Sequence, residues 1–302
     1  MIRGFSHADF PLELLLERKR QTLTVVLPAR EVADTVGTIA ARILSLDGLV
    51  DQVLVVDADS ADGTASVARA AGAEVVSEAD LGGGPAVDEA VGVAAALAEF
   101  GPIRGKGDAM WRALAAVRGD LVAYIDADTR DFDPAFVAGL FGPLICEPDD
   151  VQFVKAAYRR PFTAGDVVVP DGGGRVSQLT ARPLLDAFYP DLAGLAQPLA
   201  GEVAAPRALF EQLPFATGYA VETAMLIDVR ERVGADAIVQ CDLGERRNRH
   251  QPLPALRPMA DEVLAVICER LRREGRLQDG GRDDAIVYRP PFAEVMSGAA
   301  PS

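Results

Sequence analysis

Cysteine is scarce in this chain of 302 residues, and the few cysteines lie far apart. The three of them, Cys146, Cys241 and Cys268, form no Cys-x-x-Cys pair. An odd, widely spaced set argues against a disulfide framework and against a structural zinc site. It suits a reducing compartment, so we expect a cytoplasmic protein.

Long hydrophobic runs and an excess of positive charge are also lacking. The first twenty residues hold only Leu14-Leu15-Leu16 as an apolar run, between two glutamates, so we expect neither a signal peptide nor an anchor. No stretch reaches the length of a membrane span. The formal net charge of −15 disfavours nucleic acid or a membrane surface as a partner. An anionic substrate must therefore meet locally gathered arginine and lysine.

Apolar runs that predict strands alternate with segments of helical periodicity. This order predicts an α/β fold, with a parallel, Rossmann-like sheet and crossover helices. The predicted strands are 22–27, 53–57, 74–77, 121–125 and 151–158, and the clearest predicted helices are 32–44, 60–71, 107–117 and 259–274. Residues 197–229 are expected to mix short strands with loops, and the tail beyond Gln278 is expected to be a loosely attached arm.

Paired aspartates follow two of the predicted strands. Asp57-Ala58-Asp59 follows the second strand and Asp126-Ala127-Asp128 follows the fourth. Alternate residues of an extended chain point the same way, and ligands bind at the carboxyl ends of strands in open α/β sheets. A divalent cation held there could bridge to a diphosphate. The alternative is that these aspartates are turn or helix-cap residues.

Three further segments combine groups that suit an anion, although each could also be an ordinary surface loop. Gly105-Lys106-Gly107 precedes a predicted helix, where Lys106 could reach a phosphate. Gly172 to Ser177 offers free backbone amides, the Arg175 guanidinium and a hydroxyl. The basic run from Arg246 to His250 could close over a diphosphate, with Asn248 or His250 as a ligand.

Together these strings resemble the glucosyl-3-phosphoglycerate and mannosyl-3-phosphoglycerate synthases, which are retaining glycosyltransferases of GT-A fold. The resemblance runs from about Leu23 to Leu253 and is carried by many ordered segments. These are Pro28-Ala29, Asp57 to Thr64, Gly105 to Arg112, Asp126 to Asp128, Tyr158 to Pro161, Gly172 to Ser177, Ala181 to Leu185, Gln197 to Glu202, Gly218 to Glu222 and Arg249 to Leu253.

The resemblance implies a role for each matching position. Nucleotide-sugar binding falls on Pro28, Ala29, Asp57, Asp59, Lys106, Asp126, Ala127, Gly201 and Arg246. Acceptor binding falls on Gly174, Arg175, Ser177, Arg249 and His250, and Mg²⁺ or Mn²⁺ binding on Asp126, Asp128 and His250. Catalytic roles fall on Asp128, Leu199, Glu222 and Lys106.

The implied reaction moves a hexose from a nucleoside diphosphate to the 2-hydroxyl of 3-phosphoglycerate with retention, for compatible-solute or polysaccharide synthesis. The family has no well-placed nucleophile, so we expect front-face attack, with Glu222 orienting sugar hydroxyls. Two departures favour mannose from GDP-mannose over glucose: Glu31-Val32-Ala33 replaces Asn-Glu-Glu, and Asn248 aligns where the family has a histidine.

Two rival functions share part of this pattern. A sugar-phosphate nucleotidylyltransferase needs a glycine-rich phosphate loop after the first strand, where Pro28-Ala29-Arg30 stands instead. A non-catalytic nucleotide-sugar-binding protein would have no use for the loop at Gly174-Arg175.

We predict four segments along the chain. They are an N-terminal helical segment (1–21), a nucleotide-sugar-binding half (22–130), an acceptor-binding half (131–256) and a C-terminal helix with its tail (257–302). The apolar stripe of the 259–274 helix predicts a homodimer contact, although packing within the chain explains it as well.

Overall fold

The computed structural model describes residues 2–81, 96–164, 167–169, 172–246, 252–278 and 287–297. The strands are β1 Arg3–Ser6, β2 Leu23–Ala29, β3 Gln52–Asp57, β4 Glu74–Ser77, β5 Leu121–Tyr124, β6 Phe153–Arg159, β7 Phe162–Ala164, β8 Val167–Val169, β9 Val203–Pro206, β10 Phe215–Ala216, β11 Ile238–Glu245 and β12 Tyr288–Arg289. The helices are α1 Leu12–Arg18, α2 Val36–Leu44, α3 Thr64–Ala70, α4 Glu78–Leu81, α5 Gly105–Ala113, α6 Ala135–Cys146, α7 Arg182–Phe188, α8 Arg207–Glu211, α9 Val221–Val233, α10 Leu253–Arg273 and α11 Phe292–Ser297. Short helical turns stand at 7–9, 177–181, 218–220 and 235–237.

One sheet of eight strands runs through both predicted halves, in the order β1-β11-β6-β9-β5-β2-β3-β4. Neighbouring strands are parallel except at β9, which pairs antiparallel with β5 and with β6. The predicted parallel sheet is therefore confirmed, with one reversed strand at its centre. The predicted boundary between residues 130 and 131 lies between β5 and β6 along the chain, and both of these strands belong to the same sheet.

Alternate residues of the central strands pack into two separate apolar cores. On β2, Val25 and Leu27 face the layer that holds Ile39 of α2, whereas Val26 faces the layer that holds Trp111 of α5. A strand buried on both faces reads as a continuous apolar run, which is why β2, β3 and β5 were recognisable in the sequence. The result is a three-layer α/β/α arrangement.

The helices differ from expectation at three places. Helix α5 begins at Gly105, two residues before its predicted start, so Lys106 lies in its first turn and not in a preceding loop. Helix α10 begins at Leu253, six residues before its predicted start. Helix α9 stands where short strands and loops were expected. That prediction is wrong because Val221 and the seven consecutive positions Thr223 to Val229 are all buried and leave no amphipathic pattern.

The two ends of the chain join the fold. The 1–21 segment contains strand β1, which pairs in parallel with β11, as well as helix α1. The expectation of a loose tail is wrong for residues 287–297: β12 pairs with β10, and Phe292 is buried against Trp111. The aromatic and ionic contacts of this segment give it a fixed place on α5.

The apolar stripe of α10 is covered from within the chain. Val263, Ile267 and Leu271 belong to one of the two main cores, and Val266 packs with Ala220 and Ala224. Packing within the chain is therefore the explanation that the structure supports. Among the described residues, no helix has both the length and the apolar character needed to cross a bilayer.

Candidate active site

A cluster of ionised side chains lies at the carboxyl end of β5. The ammonium group of Lys106 donates to Asp126 Oδ1 at 2.5 Å and to Glu222 Oε1 at 3.1 Å. Lys106 comes from the first turn of α5, Asp126 follows β5, and Glu222 lies in the first turn of α9. The fold thus joins three predicted site residues that are up to 116 positions apart in the sequence.

Glycines allow these three elements to approach so closely. A Cβ atom on Gly107 would lie 1.9 Å from the carbonyl oxygen of Ala216, just before α9. A Cβ atom on Gly201 would lie 2.2 Å from Lys106 Nζ and 2.3 Å from Asp126 Oδ1. A distance below 3 Å requires displacement, which would fall on the backbone of Ala216 at Gly107 and on the side-chain ends of Lys106 and Asp126 at Gly201.

Arg246 ties the paired aspartates to a second buried acid. Its guanidinium donates to Asp126 Oδ2 at 3.2 Å, to Asp128 Oδ1 at 3.4 Å and, on its other side, to Glu202. Tyr158 completes this group, because its hydroxyl contacts both Arg246 and Glu202 at 3.1 Å. One guanidinium therefore reaches the carboxylates of both Asp126 and Asp128.

Burial and pairing set the ionisation of the cluster. Burial by itself would raise the pKa of the Asp126 carboxyl, but Lys106 and Arg246 hold it below its ordinary value. Burial would lower the pKa of Lys106, yet the carboxylates of Asp126 and Glu222 raise it well above its ordinary value. Both groups are therefore charged at neutral pH, and the site holds fixed charge of both signs.

Asp128 differs from Asp126 in its exposure. About 61% of the Asp128 side chain is accessible, against 26% for Asp126. Carboxylate oxygens of this kind are ligands that Mg²⁺ and Mn²⁺ prefer. Asp128 is therefore the carboxylate with room for a cation. Among the described residues, no group of three or more acidic, histidine or cysteine side chains is arranged to hold a metal by itself.

The predicted acceptor loop lies beside this cluster. Gly174 adopts the left-handed conformation, with φ +63°, and a Cβ atom there would lie 3.2 Å from Gln197 Oε1. Gln197 donates in turn to the carbonyl oxygen of Tyr158 at 3.2 Å. Ser177 is buried, and the Arg175 guanidinium lies over the Phe162 ring at 5.2 Å. The loop is thus joined to the Asp126 cluster through Tyr158.

The residues predicted on the nucleotide side line a neighbouring edge of the sheet. Asp57 is buried at the end of β3; its Oδ2 accepts from the amide of Ser60 at 3.2 Å, and its Oδ1 has no partner among the described residues. Pro28 and Ala29 end the adjacent strand β2, and Asp59 is exposed with φ +50°. The N-cap residue of α3 is Gly63, and the amide of Thr64 at the start of that helix donates to Asp62 at 3.0 Å. Asp57 therefore takes no part in capping α3.

Leu199 and Ala127 occupy supporting positions. Leu199 is partly buried against the core beside Gly201, and Ala127 is buried between the two aspartates. The predicted Arg249 and His250, together with Asn248, lie outside the described residues.

The sequence analysis assigned no role to three buried polar residues of this site. Tyr158 and Glu202 stand in matching segments and carry no motif of their own, and Lys155 lies inside the apolar run of β6. A charged residue within a predicted buried strand is the signal that could have indicated Lys155.

Comparison with known proteins shows which family the chain is similar to. No protein-family model matches the chain. Glucosyl-3-phosphoglycerate synthase of Mycolicibacterium paratuberculosis is 45% identical over 263 residues, which cover 85% of this chain and 75% of that protein. The crystal structure of mannosyl-3-phosphoglycerate synthase from Rubrobacter xylanophilus is similar with a TM-score of 0.85 and 47% identity, covering 97% of each chain.

A third similarity concerns a complex. The structure of Mycobacterium tuberculosis glucosyl-3-phosphoglycerate synthase with Mn²⁺, UDP-glucose and phosphoglyceric acid has a TM-score of 0.79 and 39% identity, covering 97% of this chain and 98% of that one. The expected GT-A fold is confirmed by these structures. With identity above 30% across most of both lengths, the chain belongs to the family of glucosyl- and mannosyl-3-phosphoglycerate synthases.

Proposed function

We propose that the protein is a metal-dependent, retaining hexosyltransferase, which moves a hexose from a nucleoside diphosphate to the 2-hydroxyl of 3-phosphoglycerate. The observation that carries this proposal is the joining of Lys106, Asp126 and Glu222 at the carboxyl end of β5, next to the loop at Gly174. Ligands of open α/β sheets bind at this edge. Neither rival function needs an acceptor loop at this place.

The proposed reaction needs positive charge that stabilises the negative charge of the departing diphosphate. Lys106 and Arg246 both reach the aspartates, and preorganised charge of this kind is often the largest catalytic contribution. Asp128 and Asp126 would hold a Mg²⁺ or Mn²⁺ ion, with His250 as a further candidate. When bound, such an ion neutralises negative charge that develops on the diphosphate.

Front-face attack would give retention without a nucleophile, and the pairing of Glu222 supports this route. Its carboxylate is paired with Lys106 at 3.1 Å, which suits a group that orients sugar hydroxyls better than a free nucleophile. We therefore retain front-face attack, in which the leaving phosphate takes the proton of the acceptor hydroxyl. Arg175 and Ser177 would hold the phosphate or carboxylate of the acceptor.

The identity of the donor stays a prediction, with mannose from GDP-mannose ahead of glucose from UDP-glucose. The base-side loop is built differently here: Glu31 has φ +52°, and its carboxylate accepts from the amide of Ala61 at 2.8 Å. This side chain is engaged within the protein, so recognition of the base falls to other groups, among them the free oxygen of Asp57.

The experiment is a donor panel. GDP-mannose, UDP-glucose, GDP-glucose and UDP-mannose are each incubated with 3-phosphoglycerate and Mg²⁺, and products are weighed by mass spectrometry. We expect a hexosyl-phosphoglycerate with one donor strongly preferred, and NMR should show the anomeric configuration of the donor. Formation of a nucleotide sugar from a sugar phosphate, or no product at all, would refute the proposal.

Two further expectations concern the whole protein. We retain a homodimer and a cytoplasmic location as proposals, although the stripe on α10 is buried within the chain and no longer favours the dimer. Sedimentation velocity tests the first and cell fractionation tests the second.

A further inference from the structure

Lys155 is a buried cation beside the active site that no motif explains. It lies in the middle of β6, where it is opposite Gln240 of β11 and Val203 of β9, and its exposure is 1%. Its ammonium group donates to the carbonyl oxygen of Ala200. No ion pair within 4 Å involves Lys155 among the described residues, so the carbonyl is its specific partner.

Ala200 stands between two predicted site residues, the catalytic Leu199 and the nucleotide-sugar-binding Gly201. Leu199 precedes it, and Gly201 follows it with its Cα against Lys106 and Asp126. A group that fixes the Ala200 carbonyl therefore fixes the backbone on which both neighbours depend. The next residue, Glu202, starts the connection into β9 and pairs with Arg246.

The charge of Lys155 also affects the electrostatics of the site. Among the described residues, the carboxylates of Asp126, Asp128, Glu202 and Glu222 lie with the cations of Lys106 and Arg246. These carboxylates repel an entering diphosphate, apart from the positive charge that a bound divalent ion would supply. A third cation beneath the 197–201 segment reduces this repulsion, in a region where burial weakens screening.

An interior lysine is costly, which argues against a purely structural role. Burial lowers the pKa of the Lys155 ammonium to about 8, although the carboxylates of Glu222, Glu202 and Asp126 oppose this effect and Lys106 adds to it. An apolar side chain of similar length would fill the same space without that desolvation. The desolvation cost of the buried ammonium group is explained if its positive charge contributes to the reaction.

We propose that Lys155 is a positioning residue for hexosyl transfer, holding the Ala200 carbonyl so that Leu199 and Gly201 keep their places in the donor pocket. The inference rests on the proposed function. It assigns to Lys155 the capture of the donor and not of the acceptor, because its hydrogen bond goes to Ala200, beside Gly201, and not to Gln197, which contacts the loop at Gly174.

Variants of Lys155 test this role. In Lys155→Met, kcat/KM for the donor should fall at least tenfold, while KM for 3-phosphoglycerate stays within twofold. In the wild type, kcat/KM for the donor should decline above about pH 8 as the ammonium loses its proton. Lys155→Arg should recover part of the activity and move this decline to higher pH, since guanidinium stays charged. Lys19→Met, at a lysine paired with Asp51 on another side of the sheet, is the matched control.

The small number of lysines permits a direct measurement on the unmodified protein. The chain contains only Lys19, Lys106 and Lys155, so lysine labelled with ¹³C and ¹⁵N gives three side-chain signals. The signal absent from Lys155→Arg should titrate near pH 8 and move to higher pH when donor diphosphate is added. If Lys155→Met does not fold, the role of Lys155 is tested by the pH dependence of kcat/KM in Lys155→Arg and by this titration.

The outcomes separate the two proposals. A wild-type protein that forms no hexosyl-phosphoglycerate refutes the proposed function. A wild-type protein that does form it, with Lys155→Met within twofold of its kcat/KM or with an unchanged alkaline decline, refutes the role of Lys155. The role of Lys155 is also refuted if the titration of its signal does not change when donor diphosphate is added.

Discussion

At the scale of single residues, the site depends on small side chains as much as on charged ones. Gly201 leaves the space in which Lys106 meets Asp126, and Gly107 lets α5 lie against the segment before α9. The charged residues were recognisable in the sequence because acids after strands are typical of divalent-cation sites and a lysine between glycines is typical of phosphate sites. The need for a small residue at Gly201 could not be predicted, because Gly201, Lys106 and Asp126 are brought together only by the fold.

Gly201→Ala should therefore impair catalysis with little effect on folding. The added methyl group would stand 2.2 Å from Lys106 Nζ, so the side-chain ends of Lys106 and Asp126 must shift. A misplacement of about 1 Å at a catalytic group costs about a hundredfold in rate, and we expect that loss in kcat/KM. Steady-state assays and thermal unfolding measure the two effects. Gly4→Ala, where a Cβ atom meets nothing within 4 Å, is the control and should behave as wild type.

At the scale of elements, the strands were predictable and the buried helix α9 was not. The runs of β2, β3 and β5 are apolar on both faces, a pattern typical of central parallel strands. Helix α9 has the same lack of periodicity, because it is surrounded by the core and by α10, and an apolar stretch without periodicity does not distinguish a helix from strands. Tertiary packing, and not local pattern, determines that element.

The contact between α9 and α10 gives the fold a pH-dependent contribution. Asp228 of α9 accepts from Arg270 of α10 at 2.6 Å, and burial raises the pKa of Asp228 to about 6, although Arg270 opposes the rise. Below its ordinary value of 3.8 the aspartate is protonated in both states, and this contribution is fully present. It is lost as pH rises through 6, because the folded state must then release a proton that the unfolded chain has already lost.

Asp228→Asn removes this dependence. The free energy of unfolding of the wild type, relative to the variant, should fall by up to about 3 kcal/mol between pH 4 and pH 7. Urea unfolding across that range is the measurement. Asp261→Asn, at an exposed position of α10, controls for the loss of one carboxylate and should show a flat difference. A flat difference for Asp228→Asn would contradict the raised pKa.

At the scale of the whole molecule, the end of the chain supports the helix that carries Lys106. Arg289 donates through Nε to Asp108 Oδ1 at 2.9 Å, and Asp108 also pairs with Arg112 at 3.0 Å, all three being buried. The indole of Trp111 donates to the carbonyl oxygen of Pro290 at 2.8 Å. The contact between Arg289 and Asp108 could not be predicted from the sequence, because the two residues are 181 positions apart and no local pattern links them.

Arg289→Met should destabilise the protein by about 3 kcal/mol, since it leaves a buried carboxylate with one cation in place of two. Because Asp108 lies two residues from Lys106 in the first turn of α5, KM for the donor should rise as well. Denaturant unfolding and donor kinetics measure the two effects. The exposed position Ala293 of the same segment provides the control Ala293→Gln. An Arg289→Met protein with unchanged stability would contradict the role of this segment.

Binding of the donor diphosphate at the carboxyl end of β5 is the claim on which the other assignments depend. Crystals soaked with Mn²⁺ and the preferred nucleoside diphosphate test it through the anomalous signal of the metal. The account predicts an anomalous peak at the carboxylate of Asp128, with the diphosphate beside Lys106 and Arg246. A nucleotide bound at another edge of the sheet, or a metal peak away from Asp126 and Asp128, would contradict it.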